Sequence, residues 1–533
     1  MSGVLTPSQF GAKAAYTPPA SAVASRTRTP NAVVFTALGF FVALGITVAV
    51  DPSSAGRALA AATILAVVLV LAYRTEIETW QLIALSSVTG YVVLNYGFEN
   101  LNLPVGPLRF LPLGELLMGV ALLLALRRYS GVEFRETLRD PSMVCILALL
   151  VLTLVHLVSD VPQYGLYALR DATSSFEAVF LILGMVWAAR ERNIELLSKW
   201  LMALFIVTLV YAYTFPWTDL LQERSPAFGP FHPVPLVGNY QEVALYLVSG
   251  ALFCLWVAPT VFKWPRWILV SLAVAQLAGL GVLQSRTMLV GIGLVLVTLF
   301  FLRETTRMRQ FFSIIASGLG ALVLLVVLIA AVGWKVQGRL GPVDMTSLEN
   351  DVKSIWPSTA ESQQLGHESD RKAWYGEVWN KLQSSPSHML FGVGYGLPLI
   401  DFISETGQPI RQPHNSSMNV FGRLGLLGLF IWALFVAGLL KRLWRGVREA
   451  VERGAVSCPL RLWFLAFAIL GLLVSMVQPY FEFSHSAIPF YFLMGVALGI
   501  NPRETPKRAV VPLRPLRVSV ATPERDVLRR LPW

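Results

Sequence analysis

Apolar residues in this chain fall neither on alternate positions nor on a single helical stripe; they come in long continuous runs broken by short polar links. Between Val33 and Ile500 about fourteen such runs occur, each of roughly 17–25 residues and so able to cross ~30 Å of hydrocarbon as a helix. Backbone groups in lipid must be satisfied internally, which allows only helices and closed barrels, and the lack of period-two alternation excludes the barrel. The predicted fold is an all-α integral membrane protein with about fourteen transmembrane helices.

One break in the pattern is longer than the others. Within residues 334–413, Ala373, Trp374, Val378 and Leu382 recur at helical spacing and predict a short amphipathic helix over Ser369–Leu382, suited to lie on the membrane surface and cover a cavity. Gly392, Gly394 and Gly396 then mark a tight irregular turn where backbone approaches closely. The chain divides into a polar, disordered tail (1–31), helices one to eleven (32–333), a large loop carrying short amphipathic helices (334–413), helices twelve to fourteen (414–501) and a basic tail (502–533).

Composition agrees with this division. With 55% hydrophobic and only 14% charged residues, a soluble domain could not hide the apolar surface. Cys145, Cys254 and Cys458 sit in two membrane segments and one basic loop and suggest neither a disulfide framework nor a zinc site.

Charge orients the helices. Lys and Arg cluster in alternate loops: Arg127 to Arg139, Arg190 to Lys199, Lys263 and Arg266, Arg303 to Arg309, and Lys441 to Arg461. By the positive-inside rule these loops and both termini are cytoplasmic, and the 334–413 loop faces outward. The net charge of +11 thus reflects topology and contact with membrane lipids rather than a nucleic-acid partner.

Three basic groups then share the outward side. Arg286 ends the Gln284-Ser285-Arg286 link between two apolar runs, Arg371 opens the amphipathic helix, and His414 starts the next span. Snorkelling or a solvated helix face would account for either arginine alone, and helix capping for the histidine. Together, two guanidinium groups beside a histidine suit a diphosphate, because arginine binds phosphate oxygens bidentately and histidine accepts a proton near neutrality. Asn415 is placed to fix the histidine tautomer or bind a sugar hydroxyl, and Ser416 and Ser417 to cap the helix. Further outward polar groups are Asp160, Arg170, Asp171, His232, Asn239, Gln241, Glu242 and Arg411, with Glu482 and His485 as weaker candidates near the last outward turn. No P-loop, dinucleotide fingerprint, HExxH motif or metal-spaced cluster appears, so neither metal nor cofactor is expected. Group transfer on that side would need a donor already activated when it crosses the membrane, and a lipid diphosphate meets that need.

The pattern resembles the polytopic O-antigen ligases and the O-antigen and exopolysaccharide polymerases. The matching elements are Gly238-Asn-Tyr-Gln-Glu-Val-Ala-Leu-Tyr246, Gln284-Ser-Arg-Thr-Met-Leu289, Arg371-Lys-Ala-Trp374, Phe391-Gly-Val-Gly-Tyr-Gly396 and the block from His414-Asn-Ser-Ser-Met to Gly428. Where the family carries Pro or Asp before the first asparagine, this chain has Gly238.

The resemblance implies a glycosyltransferase C-type membrane fold in a bacterial inner membrane, with the active site facing the periplasm. It implies an enzyme that takes a glycan from undecaprenyl diphosphate and passes it to a sugar hydroxyl on a lipid-linked glycan or lipid A-core, by inversion and without metal. By the same resemblance Arg286 and Arg371 bind the diphosphate and His414 activates the acceptor. Asn415, Asn239, Glu242, Arg170, Trp374 and Arg411 are the expected substrate-binding set, and a flippase and a chain-length regulator the expected partners. A polymerase is the first reading and a ligase the second. A lipid-linked oligosaccharide flippase would instead line a path through its helices with cations, whereas here they gather at one face.

Overall fold

A computed structural model describes residues 77–102, 112–128, 138–228, 234–237, 243–332, 367–403, 409–455 and 457–500. The chain divides into two units, 1–79 and 80–533, and all the described residues except 77–79 belong to the second. Both expected tails, the first two apolar runs, and Asn239 and Glu242 of the expected site lie outside the described residues.

The second unit is helical. Its main helices are α1 (Thr79–Leu94, which begins at the boundary), α2 (Leu113–Arg128), α3 (Pro141–Tyr164), α4 (Leu166–Glu177), α5 (Phe180–Ala188), α6 (Glu191–Tyr213), α7 (Val243–Trp256), α8 (Arg266–Leu283), α9 (Arg286–Phe301) and α10 (Thr305–Val332). After the undescribed stretch come α11 (His367–Gln383), α12 (Pro386–Phe391), α13 (Ser416–Glu452), α14 (Cys458–Ser475) and α15 (Ser484–Gly499). Among the described residues, 6 helices are long and apolar enough to cross a membrane, α4 and α5 counting as one apolar stretch, Leu166–Ala188. Shorter apolar helices, α1, α7 and α9, stand beside them.

The helices separate two environments. α7, α14 and α15 are buried almost throughout and form the centre of the bundle. α3 buries one side, through Met143, Ile146, Leu149 and Leu157, yet leaves Val151, Val155 and Val158 exposed; α9 likewise exposes Val297, Phe300 and Phe301. Large apolar side chains exposed along membrane-length helices mark surfaces that face lipid rather than water. This bears out an all-α membrane protein.

The amphipathic helix predicted over Ser369–Leu382 is α11, longer by two residues at its start and one at its end. Trp374, Val378 and Leu382 are buried, as its periodicity requires, whereas Ala373 is exposed. Its apolar stripe does not lie on a membrane surface: it packs with Leu399, Ile400 and Phe421 into a second core, separate from that of the bundle. Burying such side chains contributes roughly 1.5–3 kcal/mol each, and this seats the loop on the start of α13.

A kink in α13 completes the seating. Gly425 takes φ 66° inside the helix, a left-handed value that interrupts the normal ladder and frees the preceding carbonyls. The glycine turn supplies the missing donors: Val393 N–H donates to the Gly422 carbonyl at 2.9 Å and Gly394 N–H to the Arg423 carbonyl at 3.1 Å. Gly392, Gly394 and Gly396 all have positive φ, as the expected close approach demands, and a Cβ on Gly392 would strike the Arg423 carbonyl. Small antiparallel pairs, Ala227–Phe228 with Val234–Pro235 and Phe402–Ile403 with Pro409–Ile410, are the described strands.

Candidate functional site

The link between α14 and α15, Met476 to Phe483, is where the expected site residues meet. Asn415 caps α13, its Oδ1 accepting from Met418 N–H at 3.0 Å, and its Nδ2 donates to the Met476 carbonyl at 3.0 Å. Arg371, in the first turns of α11, donates through Nη2 to the next carbonyl, Val477, at 3.3 Å. One turn further along α11, Trp374 sets its ring edge-on to His414, centroids 4.9 Å apart. Two neighbouring carbonyls of one link thus gather α11 and the start of α13, and with them Arg371, His414 and Asn415.

Arg286 stands at the same end of the bundle. Gly291 of α9 packs against Leu470 and Leu473 near the end of α14, so the start of α9 points toward the 476–483 link. Gln284 adopts φ 45° and ψ 48°, a left-handed turn that lets α9 begin directly after α8 and puts Arg286 at its first position.

The arginines differ in charge balance. Arg423 is 2% exposed; its Nη1 donates to the Gly394 carbonyl at 3.0 Å and the Leu397 carbonyl at 2.6 Å, and its Nη2 to Asp171 at 2.9 Å. Arg411 reaches the same Asp171 oxygen at 3.3 Å and the Gly396 carbonyl at 2.7 Å, with its guanidinium 5.1 Å from the Tyr167 ring centre. Asp171 therefore pairs with both, balancing one of their two charges, and ties the glycine turn to α4. No carboxylate among the described residues pairs with Arg371, and its Nε is buried without a hydrogen-bond partner there. A half-buried guanidinium that keeps an uncommitted donor and has no carboxylate partner is suited to receive an anion.

Glu482, within the same link, fastens it to the start of α13. It accepts from Ser416 Oγ at 2.6 Å and from Asn419 Nδ2 at 3.0 Å, while Ser416 Oγ accepts from Phe481 N–H at 3.1 Å. Burial pushes its carboxyl up to about 7, against the lowering effect of those hydrogen bonds. His485 contacts Glu99 at 2.5 Å through Nδ1 and stacks on Phe483 at 5.3 Å.

The structure thus sorts the expected set. His414, Arg371 and Asn415 come together, with Arg286 at the same end. Trp374 is 4% exposed and packs within the second core, where it braces His414 and presents no open stacking face. Arg170 is solvent-exposed on α4. Arg411 is committed to Asp171 and the glycine turn, and helix capping falls to Asn415 rather than to the serines after it. Sequence reasoning gave no role to Arg423 or Tyr395. Tyr395 is buried, with its hydroxyl 2.9 Å from Thr153 Oγ1 and its N–H donating to Asp160 at 2.7 Å. The available signal for Arg423 was a charged residue inside an apolar run. Among the described residues, no group of three or more His, Cys, Asp or Glu could hold a metal ion.

Residues 271–433 match the family model described as O-antigen ligase, a stretch that contains Arg286, Arg371, Trp374, Arg411, His414 and Asn415. No curated protein shows significant similarity to the chain.

Proposed function

We propose that this membrane protein, a member of the O-antigen ligase and polymerase superfamily through its residues 271–433, joins oligosaccharide units carried on undecaprenyl diphosphate to a sugar hydroxyl at the outer face of the cytoplasmic membrane. The observation that carries this reading is the unneutralised Arg371 beside His414, at the end of the bundle where α9 begins with Arg286.

The chemistry follows from the placement. Arg371 and Arg286 hold the donor diphosphate and stabilise the negative charge that grows on it as the glycosidic bond breaks. Fixed cations aimed at developing charge contribute several kcal/mol to such a step. His414 takes the proton of the acceptor hydroxyl, which attacks the anomeric carbon from the face opposite the diphosphate and inverts it; general-base help of this kind is worth roughly 10²–10⁴-fold. Trp374 keeps the imidazole oriented, and Asn415 ties it to the 476–483 link. The positive charge comes from the arginines, so the mechanism calls for no metal.

In this proposal the acceptor is a growing lipid-linked chain, which makes the protein a polymerase. The family description supports a second reading, transfer to lipid A-core. A His414→Ala or Arg371→Ala protein, produced at the wild-type level in cells, is expected to leave single repeat units and no long-chain product on glycan gels. Normal chain-length ladders from both variants would refute the assignment.

A further inference from the structure

A second concave site lies on the flank of α11 adjoining its buried stripe. It is a cleft of about 940 Å³ between α11 and the end of α3, lined also by α12 and by Gly392 and Val393. It contains none of His414, Arg371 or Arg286. Its volume is at the upper end for small-molecule sites, enough for several sugar rings rather than one.

The lining identifies the ligand class. Lys381 is already neutralised, its Nζ lying 3.0 Å from Glu377 and 3.3 Å from Asp401 and donating to the Pro398 carbonyl at 3.0 Å. Asp401 keeps 70% of its side chain exposed, and the two histidines of the lining are hydrogen-bonded, His156 to the Phe391 carbonyl at 2.8 Å and His388 to Ser384 Oγ at 2.9 Å, so the exposed charge facing the cleft is carboxylate. An anionic ligand is therefore disfavoured. Asn380 and Gln163 extend exposed amides from opposite walls, and Tyr164 and the 43% exposed Phe391 add rings. Hydroxyl groups both donate and accept, so they pair with carboxylates and amides alike, while the apolar faces of sugar rings cover aromatic side chains.

We propose that this cleft is a glycan-binding subsite that holds sugar units remote from the reacting bond. The proposal rests on the transferase reading above and adds to it where the rest of the chain lies. Arg371 and Asn380 are separated by roughly 14 Å along α11 at 1.5 Å per residue and by about half a turn around it, so an oligosaccharide of several units that passes around the helix is needed to reach from the diphosphate site to the cleft. A single rigid helix then sets the distance between the reacting end and the held segment.

The test uses the purified full chain in detergent, titrated with oligosaccharides made by partial hydrolysis of the polysaccharide from the cells that supply the protein. Binding is expected at sub-millimolar concentration. Asn380→Ala and Gln163→Ala should each weaken it roughly fivefold, the loss of one net hydrogen bond. Binding of undecaprenyl diphosphate alone should be unchanged in both variants, which also shows that they fold, and should be lost in Arg371→Ala. Equal oligosaccharide affinity in wild type and both variants, or no binding to wild type, overturns the subsite. Oligosaccharide binding that depends on Asn380 alongside normal transfer by His414→Ala would uphold the cleft as a glycan site and reject the catalytic reading instead.

Discussion

The most demanding prediction concerns Glu482, whose carboxyl fastens to α13 the link that gathers Arg371 and Asn415. Its rise from the ordinary 4.5 to about 7 corresponds to a ceiling of ~3.4 kcal/mol at 1.36 kcal/mol per pH unit. Because the residue keeps some contact with solvent, screening reduces this to about 2 kcal/mol. The sign follows from linkage. The folded carboxyl binds its proton more tightly than the unfolded one, so the stability it contributes is complete below about pH 4.5, falls as pH rises and is gone above about 7. Glu482→Gln removes the ionisation and keeps a side chain of the same shape that still reaches Ser416 and Asn419. The assay compares denaturation of the purified wild type and variant in detergent from pH 4 to 8, where every other titrating group cancels in the difference. The variant should gain about 2 kcal/mol relative to wild type between pH 4.5 and 7.5. Parallel pH profiles, or a relative gain toward acid, would refute the buried carboxyl as described.

Two further predictions concern the seating of the loop. Arg423→Ala removes one partner of a buried ion pair and leaves the Gly394 and Leu397 carbonyls without their donor, a loss of about 3–5 kcal/mol. Thermal melting of the solubilised chain and its abundance in membranes should both drop, and unchanged values would show that Arg411 alone can balance Asp171. Gly425→Ala places a Cβ at positive φ against the backbone of Leu390 and Gly392, with strain of roughly 1–3 kcal/mol before the clash is counted. Limited proteolysis should then cut within residues 384–403 faster than in wild type; equal rates would mean that the kink tolerates a side chain.

The features legible in the sequence are those that depend on near neighbours. Runs of apolar residues read as membrane helices because lipid imposes the same requirement on every segment of that length. α11 was found to within two residues at its start, and Trp374, Val378 and Leu382 fell on its buried side, because helical periodicity is a local property. The glycine turn was legible for a similar reason, since three glycines in five residues signal positive φ. Local reading misplaced the surface that buries α11, because an apolar stripe has no means of specifying whether lipid or Leu399 and Phe421 will cover it.

Tertiary structure decided which arginines are free to act. Arg371, Arg411 and Arg423 look alike in the sequence, yet two of them share Asp171, which lies 252 positions before Arg423 in the chain. No spacing rule connects residues so far apart, and only the docking of the loop on α4 brings Asp171 to Arg411 and Arg423, while no carboxylate among the described residues pairs with Arg371. Glu482 is the same case: as an isolated polar residue near a helix end it was a weaker candidate, and burial against α13 gave it a carboxyl raised to about 7. The sequence by itself determined that the chain is a helical membrane protein with histidine and arginine at one end. Which of those side chains are committed to structure depended on long-range packing, because charge compensation is settled by distance in space.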